Sequence, residues 1–165
     1  MNGLMGAGPH AQRGMSTVEF AIVGITVFLV LFGAIEVSRI AFERTMMEEG
    51  VRRAARLGAV CPVNDPYIAN AARFAEKNWG VHFIPNLLAQ SVTVTYLDAN
   101  GTMVVDPAAN FITLRFVRVT IADYVSPLDI PLLNLTYRPA PISSTQPVES
   151  LGVSPTEILP CLPAT

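Results

Sequence analysis

Charge is scarce in this chain: Asp, Glu, Lys and Arg make up 15% of 165 residues, against a hydrophobic share of 51%. Histidine is scarcer still, with His10 near the start and His82 alone further on. There is no Gly-x-Ser-x-Gly elbow, His-Glu-x-x-His helix, paired Cys-x-x-Cys or Walker loop. Without a nucleophile, a base and stabilising donors that converge, the sequence does not read as an enzyme, and no cofactor or metal motif is present. A basic surplus is lacking too. The net charge is −2, and Arg39, Arg44, Arg52 and Arg53 are interleaved with Glu36, Glu43, Glu48 and Glu49, which excludes a nucleic-acid-binding face. Gly3, Gly6, Gly8 and Gly14 follow no strand and lack the dinucleotide spacing, so they are not a phosphate loop.

What the chain does have is one long apolar run. Met15 to Ile35 is 21 residues interrupted by a single ionisable side chain, Glu19, and that length suits a membrane-spanning helix. An unpaired carboxylate beside hydrocarbon costs a few kcal/mol, so Glu19 must pair, protonate or sit at the interface. A cleaved secretory signal is a poor fit. The run is too long, and Glu36-Val37-Ser38-Arg39 follows it without a small-x-small exit. Counted plainly, the positive-inside rule favours a cytoplasmic C-terminus, because only Arg13 and the amino terminus precede the span. Against that count stand the interleaved glutamates and the two cysteines, Cys61 and Cys161. In an exported head these would be joined, closing a loop of ~100 residues and pinning the C-terminal segment; otherwise they are two unrelated thiols.

The expected organisation is α+β. Residues 1–14 read as a leader, 15–35 as a transmembrane helix and 36–58 as its amphipathic stalk, stopped by Gly58 and Cys61-Pro62. Val37, Ile40, Met47, Val51 and Ala54 form the stalk's apolar stripe. Arg39 with Glu43, Glu48 with Arg52 and Glu49 with Arg53 stand i,i+4 on a face read as solvated. Residues 59–137 form a head. In it, Asn64-Asp65-Pro66 starts a helix reaching about Asn78, with Trp79, Phe74 and Phe83 as core aromatics. Val92 to Leu97, the turn Asp98-Ala99-Asn100-Gly101 and Thr102 to Val105 read as a hairpin, and Phe111 to Tyr124 as a longer strand of an antiparallel sheet. After Pro127 an ordered loop is expected, and 138–165 reads as an extended Pro-rich tail.

Arg13-Gly14-x-Ser16-x-Val18-Glu19-Phe20-Ala21, then Glu36-Val37-x-Arg39 and Glu49-x-x-x-Arg53-Ala54-Ala55-Arg56, resemble the TadE-like minor pilins of the tight-adherence (Tad) pilus. Val92 to Tyr96 and the strand from Phe111 sit where that family places its sheet. The resemblance implies a precursor cut between Gly14 and Met15 by a prepilin peptidase in the bacterial inner membrane. Glu19 and Phe20 would then serve subunit pairing, a neighbour's new α-amine neutralising Glu19. The implied partners are the peptidase, other minor pilins, the major pilin and the assembly platform, and the implied role is priming, assembly or tip adherence. Gly24 and Gly33 with Ala21 and Ala34 would let helices pack closely. Two other readings use the same residues: an unprocessed single-pass envelope scaffold or adhesin, and a type II secretion pseudopilin.

Overall fold

An apolar run with no proline between residues 13 and 60 favours one continuous helix, and the computed structural model, which describes residues 13–75, 84–131, 133–153 and 161, has it. Helix α1 runs Arg13–Val60. Its first half is long and apolar enough to cross a membrane, with a mean hydropathy of 2.5 over a window of which 0% is buried. Twenty-one residues at the helical rise extend about 31 Å, the thickness of a hydrocarbon core. Two hydroxyls of α1 are satisfied locally: Thr26, within this stretch, donates to the Ile22 carbonyl at 3.0 Å, and Ser38, just past it, to that of Ala34 at 2.9 Å.

The second half of α1 is the spine of the head. Met47, Val51, Ala54 and Ala55 are buried against Ile68, Ala71 and Ala72 of a short helix α2, Pro66–Ala72, and against the sheet. Asp65 caps α2 through its Oδ1, which accepts from the Tyr67 N–H at 2.9 Å, and Pro66 opens the first turn. The two helices meet at Gly50, where an added Cβ would run into the Ala72 carbonyl. The expectation that α2 reaches Asn78 fails. Arg73 caps it, and Phe74 adopts a positive φ of 56° that breaks the helix; Asn78, Trp79, His82 and Phe83 lie outside the described residues.

The sheet is antiparallel, with spatial order β1-β2-β5. Strand β1, Val92–Leu97, pairs with β2, Phe116–Ile121, from Val92 opposite Ile121 to Leu97 opposite Phe116. Val117, Val119 and Ile121 point at the helices, while Arg118 faces out. β2 is shorter than the Phe111–Tyr124 segment expected. Phe111–Thr113 forms a 3-10 turn, and Asp123, with φ 56°, ends the extended run. The expected hairpin is vestigial. Around the Asp98–Gly101 turn the pairing is the Asp98 N–H to the Thr102 carbonyl at 3.0 Å, the bridge between Leu97 and Met103, and the Val104 N–H to the Tyr96 carbonyl at 2.9 Å, before Asp106-Pro107 turns the chain away.

The largest departure lies after Tyr124. β3, Ser126–Ile130, and β4, Leu133–Tyr137, make a separate hairpin, and β5, Ile142–Pro147, completes the sheet on β2. Residues 138–165 thus hold a strand of the head where an extended tail was expected. Ile142 to Gln146 is mostly polar and bracketed by Pro141 and Pro147, so it shows neither apolar alternation nor strand composition. Proline is tolerated there because β5 is an edge.

Gly58 does not stop α1. It lies inside the helix, where an added Cβ would meet Val117 Cγ2 at 3.0 Å, so the glycine admits β2. The helix ends at Val60. Beyond it Cys61, fully buried, is joined to Cys161 as a disulfide, and Asp65 Oδ2 accepts from the Cys161 N–H at 3.1 Å.

Candidate functional site

Two regions carry chemistry: the start of α1 and a polar cluster where α1 meets β3. Gly14 and Met15 are in the first turn of α1. Glu19 and Phe20 follow on the same helix, both exposed, Phe20 at 79%. Among the described residues no hydrogen bond or ion pair reaches Glu19. Met15 and Glu19 are spaced i,i+4, so the backbone nitrogen of Met15 is one turn from the carboxylate. From Val18 to Ile35 the apolar side chains are exposed almost throughout, and nothing within 4 Å would obstruct a Cβ at Gly24 or Gly33. This is a helix whose covering must come from lipid or from other helices.

The second region is closed. Burial along α1 does not follow the expected apolar stripe below Met47: Val37 is 68% exposed, while Glu36 and Glu43 are buried. Between them Arg39 pairs with Glu36 Oε2 at 2.7 Å and with Glu43 Oε1 at 3.0 Å. The same guanidinium lies 3.4 Å from the Ser126 hydroxyl and donates to the Pro127 carbonyl. Glu43 Oε2 receives the Tyr124 hydroxyl at 3.2 Å, and that hydroxyl also lies 2.9 Å from the Pro85 carbonyl. Arg39 thus satisfies two acids and two groups of β3, which is what lets a carboxylate be taken out of water.

The electrostatics follow from these contacts. The Arg39 hydrogen bond holds the Glu36 carboxyl below its ordinary range, against the opposing cost of burial, and the Asp129 backbone adds to the lowering. Arg39 is raised by the same hydrogen bond. Burial, with the Glu43 charge beside it, pushes Tyr124 up to about 12.

The i,i+4 spacing of Arg39 and Glu43 was legible, but its reading as a solvated face is wrong: this pair clamps α1 to β3 and Tyr124. Tyr124, Ser126 and Pro127 carry no sequence signal, since only the fold brings them to α1. Elsewhere on the helix, Arg44 pairs with Glu48 at 3.2 Å and Arg52 with Glu49 at 3.8 Å, both exposed and worth little. Among the described residues no group of His, Cys, Asp and Glu could hold a metal. A cleft of about 680 Å³ at the far end of the sheet is lined mainly by apolar residues such as Phe111, Leu114 and Pro147.

The match to known families falls on the same helix: residues 14–56 fit the family model described as TadE-like protein. This segment is TadE-like. It runs from the Gly14–Met15 junction through Glu19, the exposed apolar stretch and all three charged residues of the clamp on α1. The match covers 43 of the 165 residues, all of them on α1. It ends at residue 56, so the sheet and the β3–β4 hairpin lie beyond it. No curated protein and no solved structure matches the chain.

Proposed function

We propose that the protein is a minor pilin of a Tad-type type IV pilus, made as a precursor, anchored by α1 and drawn from the inner membrane into the filament with its head outside the cytoplasm. The observation that carries this is the TadE-like segment coinciding with an apolar helix half that is entirely uncovered and bears one acid, Glu19, at its entrance. In this reading a prepilin peptidase cuts between Gly14 and Met15. The new α-amine of one subunit then neutralises Glu19 of the next, and that pairing sets helix register against other minor pilins, the major pilin and the assembly platform. The Cys61–Cys161 disulfide supports an exported head, because such bonds persist in oxidising compartments. The clamp suits extraction, since it fixes the head to the helix that is pulled.

The test is the N-terminal mass of the protein from cells with and without the prepilin peptidase. A peptidase-dependent start at Met15 is expected. An intact leader in both would make the chain a permanent single-pass anchor, an envelope scaffold or adhesin, and end the pilin reading. Copurification with a secretion complex would instead make it a type II pseudopilin.

A further inference from the structure

The β3–β4 hairpin has an unusual tip. Hairpin turns facing water are built from Gly, Pro, Asn, Asp and Ser, mostly polar residues. This protein follows that rule at Asp98-Ala99-Asn100-Gly101, where Asp98 Oδ1 accepts from the N–H groups of Asn100 at 2.8 Å and Thr102 at 2.9 Å. The β3–β4 connection reads Ile130-Pro131-Leu132-Leu133, in which Pro131 is the one turn former and no residue is polar.

Its position explains the difference. The Pro127 carbonyl meets Arg39, and the Asp129 backbone reaches Glu36, so β3 descends alongside α1 towards the helix N-terminus. Ile130 and Pro131 lie about 3 Å further on for each residue beyond Asp129, which brings Pro131 level with the last residues before Glu36. That level is where the 15–35 span ends. The register also divides the hairpin by face: Leu128 is opposite Leu135, with Ile130 next along that face, whereas Asp129 opposite Asn134 and Pro127 opposite Thr136 occupy the other side. Leu135 is 50% exposed and Pro131 is exposed, on a structure that a two-stranded sheet alone cannot stabilise.

We propose that the β3–β4 hairpin is a membrane-interface foot, its end at Ile130 and Pro131 resting in the headgroup region of the bilayer beside the emerging helix. The occupant of the exposed surface is lipid, because the foot is continuous with the span and is held at the span's boundary by Glu36 and Arg39. The depth is limited by the hairpin's unpaired outer backbone groups, which water and headgroups can satisfy and hydrocarbon cannot. While the subunit waits in the membrane, the foot sets the height of the head. The inference rests on the membrane-anchor part of the proposed function, and neither cleavage nor pilus assembly is required for it.

The test uses the full chain with Trp79, its only tryptophan, changed to Phe, reconstituted in phosphatidylcholine vesicles brominated either near the acyl carbonyls or near the chain ends. Single tryptophans report depth at four places: Phe28→Trp in the span, Pro131→Trp and Leu135→Trp in the foot, and Ile112→Trp, at a site 85% exposed, at the far end of the head. The expected result is deep-bromine quenching for Phe28→Trp, blue-shifted emission with shallow-bromine quenching for both foot variants, and neither for Ile112→Trp. Foot variants that behave like Ile112→Trp overturn the proposal while leaving the anchor intact. A blue shift without quenching means protein rather than lipid covers the foot and also overturns it. Loss of quenching for Phe28→Trp would remove the span and the foot together.

Discussion

The Tyr124 hydroxyl lies 3.2 Å from Glu43 Oε2, linking a carboxylate that is 1% exposed on α1 to a loop 81 residues later. Arg39 holds the other oxygen of the same carboxylate at 3.0 Å, so Glu43 is the hub of the clamp. Removing the hub takes a charge partner from half-buried Arg39 and one acceptor from Tyr124, whereas removing the phenol takes only a neutral donor shared by Glu43 and the Pro85 carbonyl. Glu43→Ala should therefore destabilise the detergent-solubilised full chain by about 3 kcal/mol, and Tyr124→Phe by about 1 kcal/mol. Denaturant titration of both variants separates these values, and equal losses would show that Arg39 contributes nothing through Glu43.

Stability should fall at both ends of the pH scale, for different residues. Glu36 has a folded pKa below the ordinary 4.5, so the unfolded chain binds more protons in that range. Its contribution is complete above pH 4.5 and is lost as the pH drops through the lower folded value. Tyr124 is raised from 10.0 to about 12, so the unfolded chain loses its proton first. That contribution is complete below pH 10 and disappears between 10 and about 12. Melting temperatures across pH should show both limbs, with Glu36→Gln flattening the acid one and Tyr124→Phe the alkaline one.

The parts that could be read from the sequence are those written locally. The apolar run, the Asp65-Pro66 helix start and the Val92–Leu97 alternation each announce themselves through period or capping chemistry. β5 does not, because Ile142-Ser143-Ser144-Thr145-Gln146 becomes a strand only by pairing with β2. The clamp was half legible. Arg39 and Glu43 have a visible spacing, but whether a charged helix face is wet depends on Ser126 and Tyr124 arriving from far along the chain. Gly58 misled for a related reason: a glycine near a helix end resembles a stop signal, while the need here is room for Val117.

The disulfide closes a separation of 100 residues and ties the end of α1 to the segment after β5. In the chain-entropy account a loop of that length contributes up to about 4.7 kcal/mol. Cys161→Ser should lower stability by about 2 to 4 kcal/mol, and reductant should do the same to the unmodified protein while leaving the variant unchanged. Thermal melts with and without reductant check this. A variant that still responds to reductant would mean that another cystine, between molecules, is involved.

Glycines on α1 should respond in opposite ways according to what faces them. At Gly50 a methyl group would overlap the Ala72 carbonyl, and the cost of overpacking, about 1 to 3 kcal/mol, exceeds the helix-propensity gain of about 1 kcal/mol. Gly50→Ala should therefore destabilise the monomer. Gly24→Ala meets nothing within 4 Å and should not. Denaturation of both in detergent decides it, and a harmless Gly50→Ala would mean that α2 can move off α1 without loss.

Glu19 and Gly24 provide the means to separate folding from assembly. Both lie on the uncovered half of α1, far from the head's core, so neither Glu19→Ala nor Gly24→Leu should alter the melting of the solubilised monomer. On the proposed reading the same positions face other helices in the filament. There Glu19→Ala removes the charge that a neighbour's α-amine would neutralise, and Gly24→Leu blocks close approach of backbones. Membrane insertion should be normal for both, while recovery in sheared pili falls to background for Glu19→Ala and is reduced for Gly24→Leu. Glu19→Gln is the discriminating control: it keeps size and hydrogen bonding but removes the charge, so failure alongside Glu19→Ala identifies ion pairing as the requirement. Normal assembly by Glu19→Gln would mean that the carboxylate acts as a hydrogen-bond acceptor and that the α-amine pairing is incorrect.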